Sequence, residues 1–321
     1  MNWAYLCCAE ESAMKIPSKI GLSFRNTIVI LYFCKQSHIN AIFVINTLYD
    51  MPHELPTDTS QYILMLRITP REMIYSCYHP AIDGSLVCGR DVFSASASFL
   101  SEIERTVYSH DELLQPFKKV YVLLPTQRFL LVPIDVAAEA SPETFFRTVY
   151  PAIDGEEVLE SRLPYVGAAM LSAADGAVTS FLRRTFGMPA ILHPLAPLCE
   201  YFYRKSRVGN FAKVYVQLYD GNMEVACFDK KGLLLANTFV ASTTGDAAYH
   251  LLNVWQQLGL NQQTDEVQIA GDAVARRELA TLLRRYILTV GPVIFPSQRH
   301  TIGSDAMQLP FDLTALSLCE L

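Results

Sequence analysis

Apolar and polar positions fall into short blocks that occur twice along the chain. "LRITPREMIYSCY" (Leu66–Tyr78) and "VQLYDGNMEVACF" (Val216–Phe228) each read as strand, tight turn, strand. Laid over one another at an offset of 150, they place Met73 over Met223 and Cys77 over Cys227. A third β-rich run follows in each case, "SLVCGRDVF" in the first and "LLLANTFV" in the second. Helical spacing comes next. Phe99, Ile103 and Val107 share one face in the first block; Ala248, Leu251, Leu252, Trp255 and Leu258 share one in the second, with Gly259 placed as its stop. The strands "KVYVLLP" and "EVQIAG" then close each block. This order predicts an α/β protein of two lobes with an internal βββαβα duplication. Few residues are identical between the halves, so the pattern carries the inference. The twice-occurring "PAIDG" (Pro80–Gly84, Pro151–Gly155) has unrelated flanks and reads as turn chemistry, Asp-Gly supplying the positive φ.

Between the blocks lies an elaborated region. "FLLVPIDV" (Phe129–Val136) alternates like a strand, and Ser141 caps a short helix with Pro142 and Glu143 in its first turn. Two strand-like runs follow, "EVLESRL" and "YVGAAML". A helix then carries Val178, Phe181, Leu182 and Phe186 on one face and stops at Gly187 and Pro189. A second helix from Pro194 buries Leu195, Leu198 and Phe202, and "SRVGN" (Ser206–Asn210) reads as the linker. The expected organisation is an extension over residues 1–60, a first lobe with an inserted subdomain over 61–205, and a second lobe over 206–321. The extension is read as disordered or weakly attached, with translation starting near Met51: it is rich in cysteine, and "NTIVILYFC" is too short to span a bilayer.

Composition narrows the function. A net charge of −6, with no block of Lys or Arg, argues against a nucleic-acid partner. The pairs Lys118-Lys119, Arg183-Arg184, Arg276-Arg277 and Arg284-Arg285 read as solvated faces or strand ends. Eight cysteines without a C-x-x-C pair in a chain this long and apolar suit reduced thiols in a cytoplasmic protein. No His pair has metal-binding spacing, and no P-loop, dinucleotide fingerprint or nucleophile elbow occurs. His193, just before Pro194, reads as a capped or partly buried structural residue. In "EYFYRK" (Glu200–Lys205), Tyr201 and Tyr203 have two uses open to them: core packing, or an aromatic patch beside Arg204 and Lys205 suited to a protein interface.

Taken together, the element order over about residues 61–300 resembles the actin-like ATPase (ribonuclease H-like) fold. Within it, the chain looks most like a bacterial family of uncharacterised proteins near the pilus-assembly and cell-division actin homologues. The resemblance implies a phosphate-binding hairpin at the start of the second lobe, D-I-G-G-G-T-T-E-V-A-V-F-like in nucleotide-binding members. The strand half, Glu224–Phe228, fits it. In the chemical half Gln217 replaces the metal-handling Asp, Tyr219 fills a Gly position, and Asp220, Gly221 and Asn222 form the turn. The first-lobe hairpin has neither Asp nor Gly between Leu64 and Met73. Arg67, Thr69, Pro70 and Arg71 are assigned to its turn, and Arg67 and Arg71 are read as surface cations. At the adenosine-contacting turn a single Gly271 precedes Asp272 as N-cap, with Val274, Leu279, Leu282 and Tyr286 as the buried stripe behind. These residues make a vestigial nucleotide cleft. The expectation is a non-catalytic bacterial scaffold or assembly factor that meets a protein partner, with no cofactor, metal or membrane span. The alternative is an ATP-binding ATPase or small-molecule kinase, using magnesium, with atypical phosphate contacts.

Overall fold

Leu64, Leu66 and Ile68 alternate along β4 (Ile63–Ile68) with Met65 and Arg67, and all five are buried. A strand covered on both faces belongs at the middle of a sheet with layers on each side. The computed structural model, which describes residues 5–6, 18–24, 27–33, 58–295 and 309–319, places it there. β4 is flanked by antiparallel β5 (Glu72–Tyr78) and parallel β7 (Lys119–Leu123). Beyond them lie β6 (Val87–Val92) and β11 (Ala190–Leu192), giving the order β6-β5-β4-β7-β11. The second sheet runs β14-β13-β12-β15-β16 with the same directions: β12 (Lys213–Tyr219), β13 (Asn222–Asp229), β14 (Gly232–Val240), β15 (Glu266–Gly271) and β16 (Thr289–Pro292). The duplication therefore holds strand by strand.

It also holds in the core. Leu64, Leu66, Met73 and Cys77 face α1 (Phe99–Ser109) and α4 (Gly176–Phe186) through Ile103, Val107, Phe181 and Leu182. Their counterparts Val214, Val216, Met223 and Cys227 face α6 (Thr244–Gln257) and α7 (Ala273–Leu283) through Leu251, Trp255, Leu279 and Leu283. The inner faces are closed by α5 (Leu195–Ser206) and α8 (Phe311–Leu318), and here the halves exchange helices. α5 follows the first sheet yet packs on Tyr215, Ala226 and Phe228 of the second. α8 follows the second sheet yet packs Leu313 and Leu316 against Met65, Ile74 and Tyr121 of the first.

The inserted subdomain is a three-stranded antiparallel sheet, β8-β10-β9: β8 (Phe129–Pro133), β9 (Glu156–Leu163) and β10 (Ala168–Asp175). α2 (Ile134–Ala137) and α3 (Pro142–Val149) accompany it. The run expected to be strand through Val136 is strand only to Pro133, after which one helical turn begins. Ser141 caps α3 as expected, accepting from Thr144 N at 3.2 Å. Ser206 is the last residue of α5, so the linker starts at Arg207. The stripe expected on α7 is displaced: Leu279, Ala280 and Leu283 are buried, whereas Val274 and Tyr286 are exposed. Tyr201 lies in the core, which decides between the two uses open to it.

Met1–Glu54 and Leu55–Leu321 are two units. Of the first, three strands are described, β1 (Tyr5–Leu6), β2 (Ser18–Phe24) and β3 (Thr27–Phe33), in an antiparallel sheet. The remainder of the expected extension, with its start near Met51, lies outside the described residues. No helix among the described residues is long and apolar enough to cross a membrane.

Candidate functional site

The two central hairpins, β4–β5 and β12–β13, present tips of equal length to one another at the mouth of the interlobe cleft. In the second, Tyr219 pairs with Asn222 across Asp220 and Gly221, whose φ angles of 51° and 71° make a two-residue I′-type turn. Asp-Gly is the dipeptide that such a turn favours. In the first tip, Thr69 Oγ1 accepts from Arg71 N at 3.3 Å and Glu72 N at 3.2 Å, and Pro70 has no N–H to offer. Those amides are turned inward on the loop's own hydroxyl and are not aimed at a ligand.

Below the tips lies a buried polar cluster. Arg67 is in β4, not in the turn, and only 2% exposed, so its reading as a surface cation is corrected. A strand running through the interior leaves its long side chain no route to solvent. Arg67 Nε donates to Asp312 Oδ2 at 2.6 Å, and Nη2 lies 3.8 Å from Glu224 Oε1. Gln217 Nε2 donates to the same Asp312 oxygen at 2.9 Å and to Glu224 Oε2 at 3.0 Å, while Gln217 Oε1 accepts from Asp312 N at 3.0 Å. Arg67 and Gln217 are the same position in the duplicated halves, and both converge on one aspartate carried by α8. The Tyr219 ring lies over the guanidinium, 3.6 Å from its carbon, and its hydroxyl donates to Glu72. Arg71 reaches across to Asp220 at 3.0 Å, and Arg90 pairs with Glu72 at 3.3 Å. Both tips are thus tied to one another above a buried ion pair.

The electrostatics follow from the geometry. Burial opposes the charge on Arg67, but Asp312 and Glu224 outweigh it and hold the guanidinium protonated. One guanidinium cannot balance two buried carboxylates. Burial pushes Glu224 up to about 8, with Arg67 pulling down and Asp312 adding to the rise, so Glu224 carries a proton at neutral pH. Burial also raises Tyr219, and raises Asp220 against the pull of Arg71.

Outside this cluster the cleft opens into a cavity of about 1160 Å³, bounded by Arg71 and Arg90 on one side and by Thr243, Gly271, Asp272 and Arg276 on the other. Asp272 caps α7 as expected, accepting from Val274 N at 2.8 Å and Ala275 N at 3.1 Å. Gly271 has a steric reason to be glycine: φ is +119°, and a Cβ there would sit 2.4 Å from Leu218 O. Gly271→Ala is expected to cost about 2 kcal/mol, read as a lower denaturant midpoint. The structure therefore brings together Arg67, Gln217, Tyr219 and, across the tips, Arg71 and Asp220. Thr69 serves its own turn, and Asn222 donates to Asp220 O at 3.1 Å. His193 is buried as a structural residue: Nδ1 accepts from Leu195 N at 3.1 Å, Nε2 lies 3.0 Å from Thr126 O, and burial lowers its pKa to about 4. Among the described residues no group of three His, Cys, Asp or Glu is placed to hold a metal ion. Glu72, Glu224 and Asp312 belong to the cluster and were not picked out as site residues from the sequence.

Paired sheets of this topology, with exchanged helices behind a cleft, define the actin-like ATPase fold. A solved protein of Bacteroides thetaiotaomicron VPI-5482, described as having that fold and unknown function, matches with a TM-score of 0.71 at 27% identity, over 82% of this chain and 97% of that one. Residues 53–290 match the family described as protein of unknown function (DUF3822), and the chain belongs to it. Two more distant likenesses are the PilM–PilN type IV pilus biogenesis complex and EutJ of Carboxydothermus hydrogenoformans. The first has a TM-score of 0.49 at 14% identity, over 81% of this chain and 99% of that one. The second has a TM-score of 0.43 at 9% identity, over 84% and 93%. No curated protein matches the chain.

Proposed function

We propose that this protein is a non-catalytic member of the actin-like fold, a bacterial cytoplasmic scaffold or assembly factor that works through protein–protein contacts. The observation that carries the reading is the cluster at the hairpin tips. Tyr219 and Glu72 bridge the two turns above Arg67, and the amides of the first turn, Arg71 N and Glu72 N, are spent on Thr69. Arg67 supplies a resident cation, so closure of the lobes needs no bound metal or nucleotide. Fold alone does not assign chemistry, and here the side chains argue against it.

Thermal unfolding with saturating magnesium-ATP tests this. A ligand at about 100 times its dissociation constant stabilises by roughly 2.7 kcal/mol, which shifts the midpoint by several degrees. The expected result is no shift. A clear magnesium-dependent shift would support the alternative, an ATPase or small-molecule kinase with atypical phosphate contacts. The cavity of about 1160 Å³ favours one further reading, a small ligand bound beside the cluster without hydrolysis.

A further inference from the structure

The end of α5, the following loop and the β13–β14 turn meet at one edge of the second lobe. They bring together four exposed cations from two stretches of sequence, Lys205 and Arg207 with Lys230 and Lys231, while Arg204 turns away to stack on Tyr165 at 4.0 Å. Arg207 Nη1 donates to Lys230 O at 3.3 Å, tying the two loop tips side by side. Lys213 Nζ donates to Val208 O at 2.7 Å and braces the first tip from below. The acids nearby are already engaged. Asp229 accepts from Lys231 N and Gly232 N within its own turn, and Glu266 pairs with Lys213. Between the cations two apolar side chains project outward, Val208 at 72% and Phe211 at 54% exposed.

Two features identify the occupant. The first is charge: the chain as a whole carries −6, so four cations set against the one carboxylate of Asp229 are a directional exception to a surface that repels anions. The second is shape. Arg207, Val208, Gly209, Asn210 and Phe211 are all exposed in succession, as are Lys230 and Lys231, which makes the patch two adjoining protruding tips and not a groove. A protruding pair of tips suits a plane. Apolar side chains at the apex, ringed by long cationic ones, suit the boundary between acyl chains and anionic headgroups. We propose that this patch docks the protein peripherally on an anionic lipid surface, with Val208 and Phe211 entering the headgroup layer and the four cations contacting lipid phosphates.

The test is flotation of the full chain with phosphatidylcholine vesicles, with and without phosphatidylglycerol, at low and high salt. The expected result is binding only to the anionic vesicles, weakened by salt. Each lost cation should lower the partition coefficient about fivefold, so Lys230→Ala with Lys231→Ala lowers it about twenty-five-fold. Phe211→Ser should weaken it about tenfold with the unfolding temperature unchanged, since the ring is mostly in solvent. The proposal is overturned by absence of binding, by equal binding to neutral vesicles, or by binding that both variants leave intact. It is overturned equally if poly-glutamate binds the patch with no dependence on Phe211, which would make it a site for acidic polypeptides.

Discussion

Arg67→Ala is expected to destabilise the protein by about 3–5 kcal/mol, because truncation leaves Asp312 and the Glu224 carboxyl facing one another with no cation between them. Denaturant unfolding at pH 7 measures it, as a fall in midpoint with the slope retained. The loss is a property of the unpaired carboxylate and not of the ion pair's net strength. Replacing the whole pair, Arg67→Met with Asp312→Leu, should therefore recover most of it. Gln217 Nε2 would then lose the Asp312 carboxylate as an acceptor, while its Oε1 keeps the backbone N–H of residue 312, so recovery stays incomplete. A loss under about 1 kcal/mol for Arg67→Ala would mean that the guanidinium is not buried, and the account of a self-filled cleft would fall with it.

The same residue shows where sequence reasoning stopped. The duplication was legible because strands and amphipathic helices have different periods, and because Met73 and Cys77 recur as Met223 and Cys227 on matching outer faces. Caps and stops at Ser141, Gly187, Gly259 and Asp272 were legible because they are local: each depends on one side chain or one positive φ. The site was not local. Arg67 meets an aspartate 245 residues away, on a helix that crosses to the opposite sheet, and no spacing rule encodes that exchange. One signal was available. Arg67 interrupts an otherwise apolar run in "ILMLRI", and Asp312 stands alone in "FDLTALSL". A charge in a strand buried on both faces demands a buried partner of opposite sign. The basic patch was hidden for a related reason, since Lys230 and Lys231 join Lys205 and Arg207 only once the β13–β14 turn folds back beside the linker.

The cluster also sets how stability depends on pH. Glu224 lies on β13, faced by Arg67 from β4, Gln217 from β12, Cys199 from α5 and Asp312 from α8; Thr238 is its neighbour on β14. Its ordinary carboxyl value, near 4.5 in the unfolded chain, rises to about 8 on folding, chiefly through burial. Between those two values the folded state holds a proton that the unfolded state has released. Stability from this group is therefore complete below about pH 4.5 and is lost progressively as pH rises through about 8. The limiting slope is about 1.4 kcal/mol per pH unit. Glu224→Gln keeps the shape and the hydrogen bonding to Gln217 while removing the titration. Relative to that variant, the wild type should lose stability steadily from pH 5 to pH 8, with a total difference on the order of 4 kcal/mol. Parallel denaturant curves for the two proteins at both pH values isolate this group from every other carboxylate that titrates. If the two lines run parallel across that range, Glu224 is ionised in the folded protein, and the proton assigned to the cluster is not there.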